Sequence, residues 1–158
     1  MEKSKTCCII INDFCNFRYL EQSERKKREK KEKIISELCR LKELGVTRFI
    51  SGCEEGLDLF LASLVLNDNS LSLECVCAYE EQSNSYSEKE REKFFNVLKD
   101  CEKLSFISRK REFGCKTKRD KYMIEKSDYI LCFWDKISPY TGELLQFAAQ
   151  NNKIISYI

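Results

Sequence analysis

The chain contains no histidine, one proline and only five glycines in 158 residues. Without histidine, Ser–His and Cys–His nucleophile chemistry is excluded, as is any zinc site that needs imidazole. So little proline and glycine argues against linkers and low-complexity tails. No apolar run approaches the ~18 residues that would cross a bilayer. The N-terminal "MEKSKTCCIII" has an apolar stretch too short for a secretory signal, so the expected compartment is cytoplasmic, with no membrane partner. Ten cysteines are present, but there is no C-x-x-C. Cys7-Cys8 stands alone as a pair, and Cys75-x-Cys77 lies in a strand-like run where alternate residues act as small hydrophobes. These spacings argue against a disulfide scaffold or a metal centre, and no cofactor is expected. Net charge is +2, from 28 basic and 26 acidic residues, which creates no global field to hold nucleic acid.

What is present is a regular alternation. At this length one domain, 1–158, can bury roughly two thirds of the surface its unfolded chain exposes. "TCCIII" (6–11) reads as a buried strand, followed by a loop over 12–19. A long helix is expected over about 22–44, with Ile34, Leu38 and Leu41 on one face and Gly45 at its C-terminal cap. "TRFIS" is a second strand, and Leu57, Phe60, Leu61 and Leu64 recur at helical spacing. "LSLECVCAY" is a third strand, and "SEKEREKFFNVLKD" a helix with Ser87 and Glu90 set as a capping box. "KLSFIS", "DYILCFW" and "KIISYI" read as strands. "TKRDKYMIEKS" and "TGELLQFAAQNN" read as helices, the latter capped by Thr141. Strands that read as continuous apolar runs and alternate with helices predict a mostly parallel sheet covered on both faces, a doubly wound Rossmann-like α/β domain.

The strongest local charge feature is Arg25, Lys26, Lys27, Arg28, Lys30, Lys31 and Lys33, interleaved with Glu24, Glu29 and Glu32. Glu29 and Lys33 are spaced as a favourable i,i+4 pair. The pattern reads first as a solvated helix face, with polyanion binding as the alternative.

In an open α/β sheet, ligands bind beyond the carboxyl ends of the strands. The loop after the first strand offers Asn12, Asp13 and Arg18. The loop after the second, "SGCEEGLD", offers Ser51, Gly52, Cys53, Gly56 and Asp58. Its two glycines enter a helix, so backbone amides could cradle an anion, although Asp58 at the helix start also suits a simple dipole role and Glu54 and Glu55 would repel phosphate unless they point away. Arg119 near a short helix start could meet a phosphate or carboxylate. "SPYTGE" brings Ser138, Thr141 and Gly142 to another helix N-terminus. Three anion-ready features at one sheet edge outweigh any one of them.

Together these segments resemble the YpsA-like branch of the SLOG superfamily, the Rossmann-like group that also includes the DNA-processing protein DprA and the LOG phosphoribohydrolases. "FISGCEEGLDLFLA" is similar to the S-G-G-x-x-G-x-D-x-x-A motif, with Cys53 in place of a second glycine. "YEEQSNSYSEKEREKF" is similar to a segment with Gln and a downstream Trp, here Gln82 and Tyr86. "KTKRDKYMIEKSDYILCFWD" resembles R-N-x-x-M-V-x-x-S-D, a strand and Asp, in the persons of Arg119, Asp120, Met123, Ser127, Asp128 and Asp135. "YTGELLQFAAQNNKIISYI" resembles the helix after a G-T pair and the closing strand. The resemblance implies about six strands in the order 4-3-2-1-5-6, ligand loops converging above strands one, two and five, and a nucleotide-derived ligand of ADP-ribose or cyclic-nucleotide type. It implies a diphosphate on the amides of 52–56 and 141–142, with Arg119 as counter-charge and Asp58, Asp135 or Gln82 bonding ribose or base. Departures are as informative. The family's Gly-His-Arg triplet is replaced by "NDF", its glycines before the threonine by Ser138-Pro139-Tyr140, and the catalytic Glu of LOG enzymes by Leu144. Glu143 stands one residue off, about 100° around a helix.

The reading is a binder that senses or sequesters such a ligand, leaning away from enzyme. The rivals are a LOG-like N-glycosidic hydrolase using Glu143 or Asp13, and a single-strand nucleic-acid or protein-interaction module using the basic helix. Homo-oligomerisation is left open.

Overall fold

The computed structural model describes residues 3–158; Met1 and Glu2, which begin the N-terminal segment read for a signal, lie outside the described residues. Six strands form the sheet: β1 (Lys5–Ile11), β2 (Val46–Ser51), β3 (Ser72–Tyr79), β4 (Lys103–Ser108), β5 (Tyr129–Phe133) and β6 (Ile154–Tyr157). Their order is β4-β3-β2-β1-β5-β6, and every neighbouring pair is parallel. Six α-helices connect them: α1 (Asp13–Glu21), α2 (Glu24–Glu43), α3 (Leu57–Leu66), α4 (Glu88–Asp100), α5 (Cys115–Glu125) and α6 (Pro139–Gln150). A short 3-10 turn, Gln82–Ser85, precedes α4.

The apolar runs explain the sandwich. Successive residues of a strand point to opposite faces, so "CCII" sends Cys7 and Ile9 to one side and Cys8 and Ile10 to the other. Cys7, Ile9, Phe49, Leu73, Cys75 and Leu131 pack with Ile34, Leu38 and Leu41 of α2, the apolar face of α3, and Phe94 and Val97 of α4. Cys8, Ile10, Ile50, Val76 and Ile130 pack with Met123 and Ile124 of α5 and Leu144, Leu145 and Ala148 of α6. Both faces of the central strands are therefore dry, and the helices cover them as the continuous hydrophobicity of those strands requires, while the edge strands β4 and β6 stay partly exposed. No described helix is long and apolar enough to cross a membrane. Gly45 follows the α2 C-terminus with φ 99°, the left-handed cap expected there.

Three sequence expectations need correction. Residues 12–19 do not form a loop: α1 begins at Asp13 and buries Asn16 and Tyr19, while Phe14 and Phe17 face outward. Its polarity is inverted relative to residue type, so hydrophobic periodicity does not reveal it. Thr141 is not a cap. The helix starts two residues earlier, with Ser138 as N-cap and Pro139 in the first turn, where its missing N–H is harmless. Glu29 pairs with Arg25 at 3.5 Å rather than with Lys33. Both side chains of that pair are more than half exposed, so it contributes little.

All six strands run the same way, so their carboxyl ends share one edge. The chain leaves β1 toward β2, β3 and β4, then returns across it to β5, so the winding reverses between β1 and β5.

Gly56 is the backbone position that this connectivity strains most. It holds φ 102° and ψ −126°, a region open to glycine alone, and a Cβ there would collide with the carbonyl oxygen of Asn16. Replacing Gly56 with alanine is expected to destabilise the fold by about 3 kcal/mol, read as a lower urea midpoint at an unchanged slope. A shift of under about 0.5 kcal/mol would show that α1 is not seated against this turn.

Candidate functional site

A cleft of about 690 Å³ opens at the β1/β5 switch point. Its walls come from the segments after β1 (Asn12, Asp13, Phe14), β2 (Gly52, Glu54, Asp58), β4 (residues 111–117) and β5 (Asp135, Ser138, Tyr140, Thr141). Ile10, Met123 and Leu144 supply apolar lining, and Arg119 and Asp120 lie among the polar groups.

The turn "SGCEEGLD" has most of its polar groups occupied. Cys53 N–H donates to Ser51 Oγ at 3.0 Å, and Ser51 Oγ donates to Asp58 Oδ1 at 2.7 Å. Glu54 N–H donates to Asp58 Oδ2 at 3.2 Å. Gly56 N–H donates to Glu90 Oε1 at 3.0 Å, and Asp58 N–H to Asn16 Oδ1 at 2.9 Å. An anion at this turn would have to displace the protein's own carboxylates. The carbonyls are held too: Gln82 Nε2 donates to Gly52 O at 2.9 Å, and the Tyr86 hydroxyl donates to Cys53 O at 2.8 Å. Cys53, standing where the motif carries glycine, has φ 57°, so the backbone requirement for a left-handed residue survives the substitution. Glu55 points away and accepts from Ser87 N–H at 2.7 Å. Ser87 Oγ accepts from Glu90 N–H at 3.3 Å. The capping box is thus half formed, its return bond coming from Glu55 because Glu90 reaches Gly56.

Arg119 is 2% exposed, and its guanidinium fork is shared. Nε donates to Asp120 Oδ1 at 2.9 Å, and Nη1 to Glu54 Oε1 at 2.7 Å and to Gln82 Oε1 at 3.2 Å. Burial works against the cation, yet Asp120 and Glu54 hold its pKa well above the usual arginine value. Gly52 makes room for it, since a Cβ there would stand 3.0 Å from Nε and Cζ. Arg119 therefore joins α5 to the β2–α3 turn, already neutralised by two carboxylates. Asp120 also accepts from the Tyr140 hydroxyl at 2.6 Å.

Helix termini divide by position. Ser23 and Ser87 cap α2 and α4 with side-chain bonds, whereas the N-caps of α1, α3, α5 and α6 (Asn12, Gly56, Gly114 and Ser138) make none. Asn12, Gly114 and Ser138 line the cleft, whereas Gly56 does not and the amides at the α3 start are taken by Glu90 and Asn16. First-turn amides have no partner within their own helix; Cys115 N–H of α5 donates to Glu112 O at 3.2 Å and Pro139 of α6 has no N–H, so what α1, α5 and α6 turn toward one space is their positive dipole ends and their other first-turn amides. Asp135 Oδ1 accepts from Ile137 and Ser138 N–H, both at 2.9 Å, and these bonds hold its carboxyl below the usual range. They order the loop into α6.

Of the residues expected at the site, Asn12, Asp13, Gly52, Asp58, Arg119, Asp135, Ser138 and Thr141 line the cleft, while Ser51, Cys53, Gly56, Gln82 and Gly142 do not. Ser51, Cys53, Gly56 and Gln82 brace the turn from behind. Gly142 lies against Trp134. Arg18 faces a separate shallow hollow beside Ser23 and Lys26. Asp13 is exposed and paired with Lys116 at 2.5 Å. Glu143 is exposed and outside the lining. Ser127 and Asp128 bond Met123 O and Thr6 N–H, tying α5 to the start of β1. Sequence reasoning missed the wall at 111–117, Phe14 and Tyr140. "RKREFGCK", with bases and an aromatic before a glycine-started helix, was the available signal after β4. Among the described residues no cluster of Cys, Asp and Glu is placed to hold a metal ion.

Two consequences are measurable. Arg119→Met would leave buried Asp120 with only the Tyr140 hydroxyl and half-buried Glu54 without its cation, and is expected to cost about 3–5 kcal/mol in urea denaturation. A loss below about 1 kcal/mol would mean that solvent already screens the pair. Burial pushes the Asp58 carboxyl up to about 6, against the lowering effect of the Ser51 hydrogen bond. Because the folded value exceeds the unfolded one, the folded state keeps a proton that the unfolded chain releases. Stability from this group is thus highest at low pH and declines as pH rises from about 4 through 6. Carboxyl carbon NMR should find an Asp58 midpoint near 6; a midpoint below about 4 would contradict the burial argument.

A search of curated proteins returned no significant match. The family model YpsA, described as the YspA SLOG family, matches residues 16–157. The match runs from within α1 to the end of β6, over a Rossmann-like sheet with the cleft at its switch point, and the chain belongs to this SLOG family.

Proposed function

We propose that the protein binds a nucleotide-derived small molecule of ADP-ribose or cyclic-nucleotide type and senses or sequesters it. Family membership suggests a nucleotide ligand. The observation that carries the reading is the convergence of three helix starts without side-chain caps on one switch-point cleft. Its volume, about 690 Å³, falls within the usual range for small-molecule sites.

The occupied amides of the β2–α3 turn shift the expected phosphate position. The anion belongs at the starts of α5 and α6, near Thr117, Tyr140 and Thr141, with Lys116, drawn from its ion pair with Asp13, as its cation. Arg119 acts behind it as a brace. Asp13 can accept from a ribose hydroxyl, and the Phe14 and Tyr140 rings offer apolar surface to a base. Of the two acids of the hydrolase alternative, Glu143 lies outside the lining, and Asp13 lies within it, exposed and paired with Lys116.

The test is mass spectrometry of small molecules released from the purified protein, with calorimetric titration of AMP, ADP-ribose and cyclic nucleotides. At least one is expected to bind, and Lys116→Ala should weaken it about tenfold, the loss of one charge-assisted contact. Absence of binding across the panel and of any released nucleotide would defeat the proposal. Turnover of a nucleotide that Glu143→Gln or Asp13→Asn abolishes would replace it with the hydrolase reading.

A further inference from the structure

The sheet has two open edges, and the one at β4 is unguarded. β4 pairs with β3 alone, so one row of its backbone N–H and C=O groups has no ladder partner. Edges of this kind are usually blunted by proline, a bulge or charged side chains. "KLSFIS" contains no proline, and its one charge, Lys103, leans back toward Glu74 of β3 at 4.0 Å. β6, by contrast, is tied to α2, where Arg40 donates to the Ser156 hydroxyl and that hydroxyl donates to Glu37. Leu104 and Phe106 lie opposite Cys75 and Cys77 and share their face of the sheet, the side covered by α4. Yet Leu104 is 40% and Phe106 41% exposed, and Phe95 on α4 is 51% exposed. Apolar side chains therefore line the open edge.

Charge along this edge is polarised. Asp100 and Glu102 precede the strand, Arg109, Lys110 and Arg111 follow it, and all five are exposed. Among the described residues none of these three cations forms an ion pair, and Glu102 has only Arg48, at 3.5 Å between exposed side chains. An identical strand laid antiparallel sets each acidic end beside the other copy's basic end, whereas a parallel one sets like charge on like. A two-fold axis normal to the sheet generates the antiparallel arrangement and keeps every side chain on its own face, so opposed residues must share a face. With the axis at Ser105, Leu104 of each copy meets Phe106 of the other, and Glu102 lies diagonal to Lys110. Moving the axis to Phe106 sets Lys103 against Arg109, and moving it to Leu104 sets Glu102 against Phe106. The register at Ser105 avoids both mismatches.

We infer that the protein forms a two-fold dimer by antiparallel pairing of β4 with β4 of a second copy, centred on Ser105, which joins the two sheets into one. The inference does not depend on what the cleft holds. It bears on the cleft all the same, because Arg111 opens the wall over 111–117 and the pairing fixes the chain that leads into it.

Sedimentation equilibrium of the full chain over about 1–100 μM tests this, and a monomer–dimer equilibrium is expected. Phe106→Lys, at an exposed position, should raise the dimer Kd about tenfold with an unchanged urea midpoint. Glu102→Lys and Lys110→Glu should each weaken the dimer about threefold. The double variant restores opposite charges across the axis and should recover affinity to within about twofold. Cys39 is exposed, so cross-linking is read in a Cys39→Ser background with copper phenanthroline as oxidant. There Ser105→Cys should give a covalent dimer on a non-reducing gel, and Ser108→Cys, which would face Glu102, should not.

A chain that stays monomeric throughout overturns the inference. So does a dimer indifferent to Phe106→Lys and to the charge cycle, since its interface would lie elsewhere. Assembly that keeps growing with concentration also overturns it, because head-to-tail pairing of β4 with β6 leaves an edge open at each step. Cross-linking through Ser108→Cys in preference to Ser105→Cys overturns the register and the inference with it.

Discussion

The buried fork of Arg119 is the constraint on which the candidate site depends. Its guanidinium reaches Asp120 on its own helix and Glu54 and Gln82 on the other side of the sheet edge. Those contacts set the distance between α5 and the β2–α3 turn, which are two of the cleft's walls. A fully buried cation is tolerable only where charge and geometry are both met, and two carboxylates with an amide oxygen meet them. The same contacts explain Gly52, because no side chain fits between the strand end and the guanidinium. Asp120 then extends the network to the Tyr140 hydroxyl and so to α6.

The network also determines where an anion can go. A glycine-framed turn before a helix is usually read as a phosphate cradle, since its amides point outward. Here Asp58, Glu90 and Asn16 occupy several of those amides, and the dipole of α3 is already answered by a carboxylate. What remains available lies across the cleft, at helices whose N-caps form no side-chain bond. A single substitution near α3 would not restore the cradle, because Glu90 arrives from α4 and is itself paired with Lys93 at 3.0 Å.

The sheet was legible because its central strands β1 and β5 are continuously apolar: a run such as "YILCF" with no polar alternation has to be covered on both faces, and parallel strands with helical crossovers do that. The strand order came with the family resemblance. The first helix was not legible, since Phe14 and Phe17 point to solvent while Asn16 turns inward to Asp58 N–H. A periodicity argument assigns those residues the opposite faces. The partners of the β2–α3 turn were hidden for a different reason. Glu90 lies 34 positions from Gly56, and local spacing holds no information about which distant carboxylate folds onto an amide. The wall after β4 was overlooked because the loops of β1, β2, β3 and β5 held the recognisable motifs.

Cys53 links these themes. At φ 57° a non-glycine residue carries a strain of about 1–2 kcal/mol, which must be offset locally for the turn to persist. The Cys53 side chain is fully buried, and its amide and carbonyl are bonded to Ser51 and Tyr86. Gln82 and Tyr86 bond each other as well, so the turn is clamped from the side opposite the cleft. A glycine would relieve the strain but leave the apolar space beneath the turn unfilled. The thiol fills it, and the motif keeps its backbone shape while surrendering much of its anion-binding capacity to the protein's own side chains. The second glycine and the phosphate cradle are therefore separable properties of this turn: the left-handed geometry is required by the fold, whereas the available amides are a matter of which side chains arrive from α1 and α4.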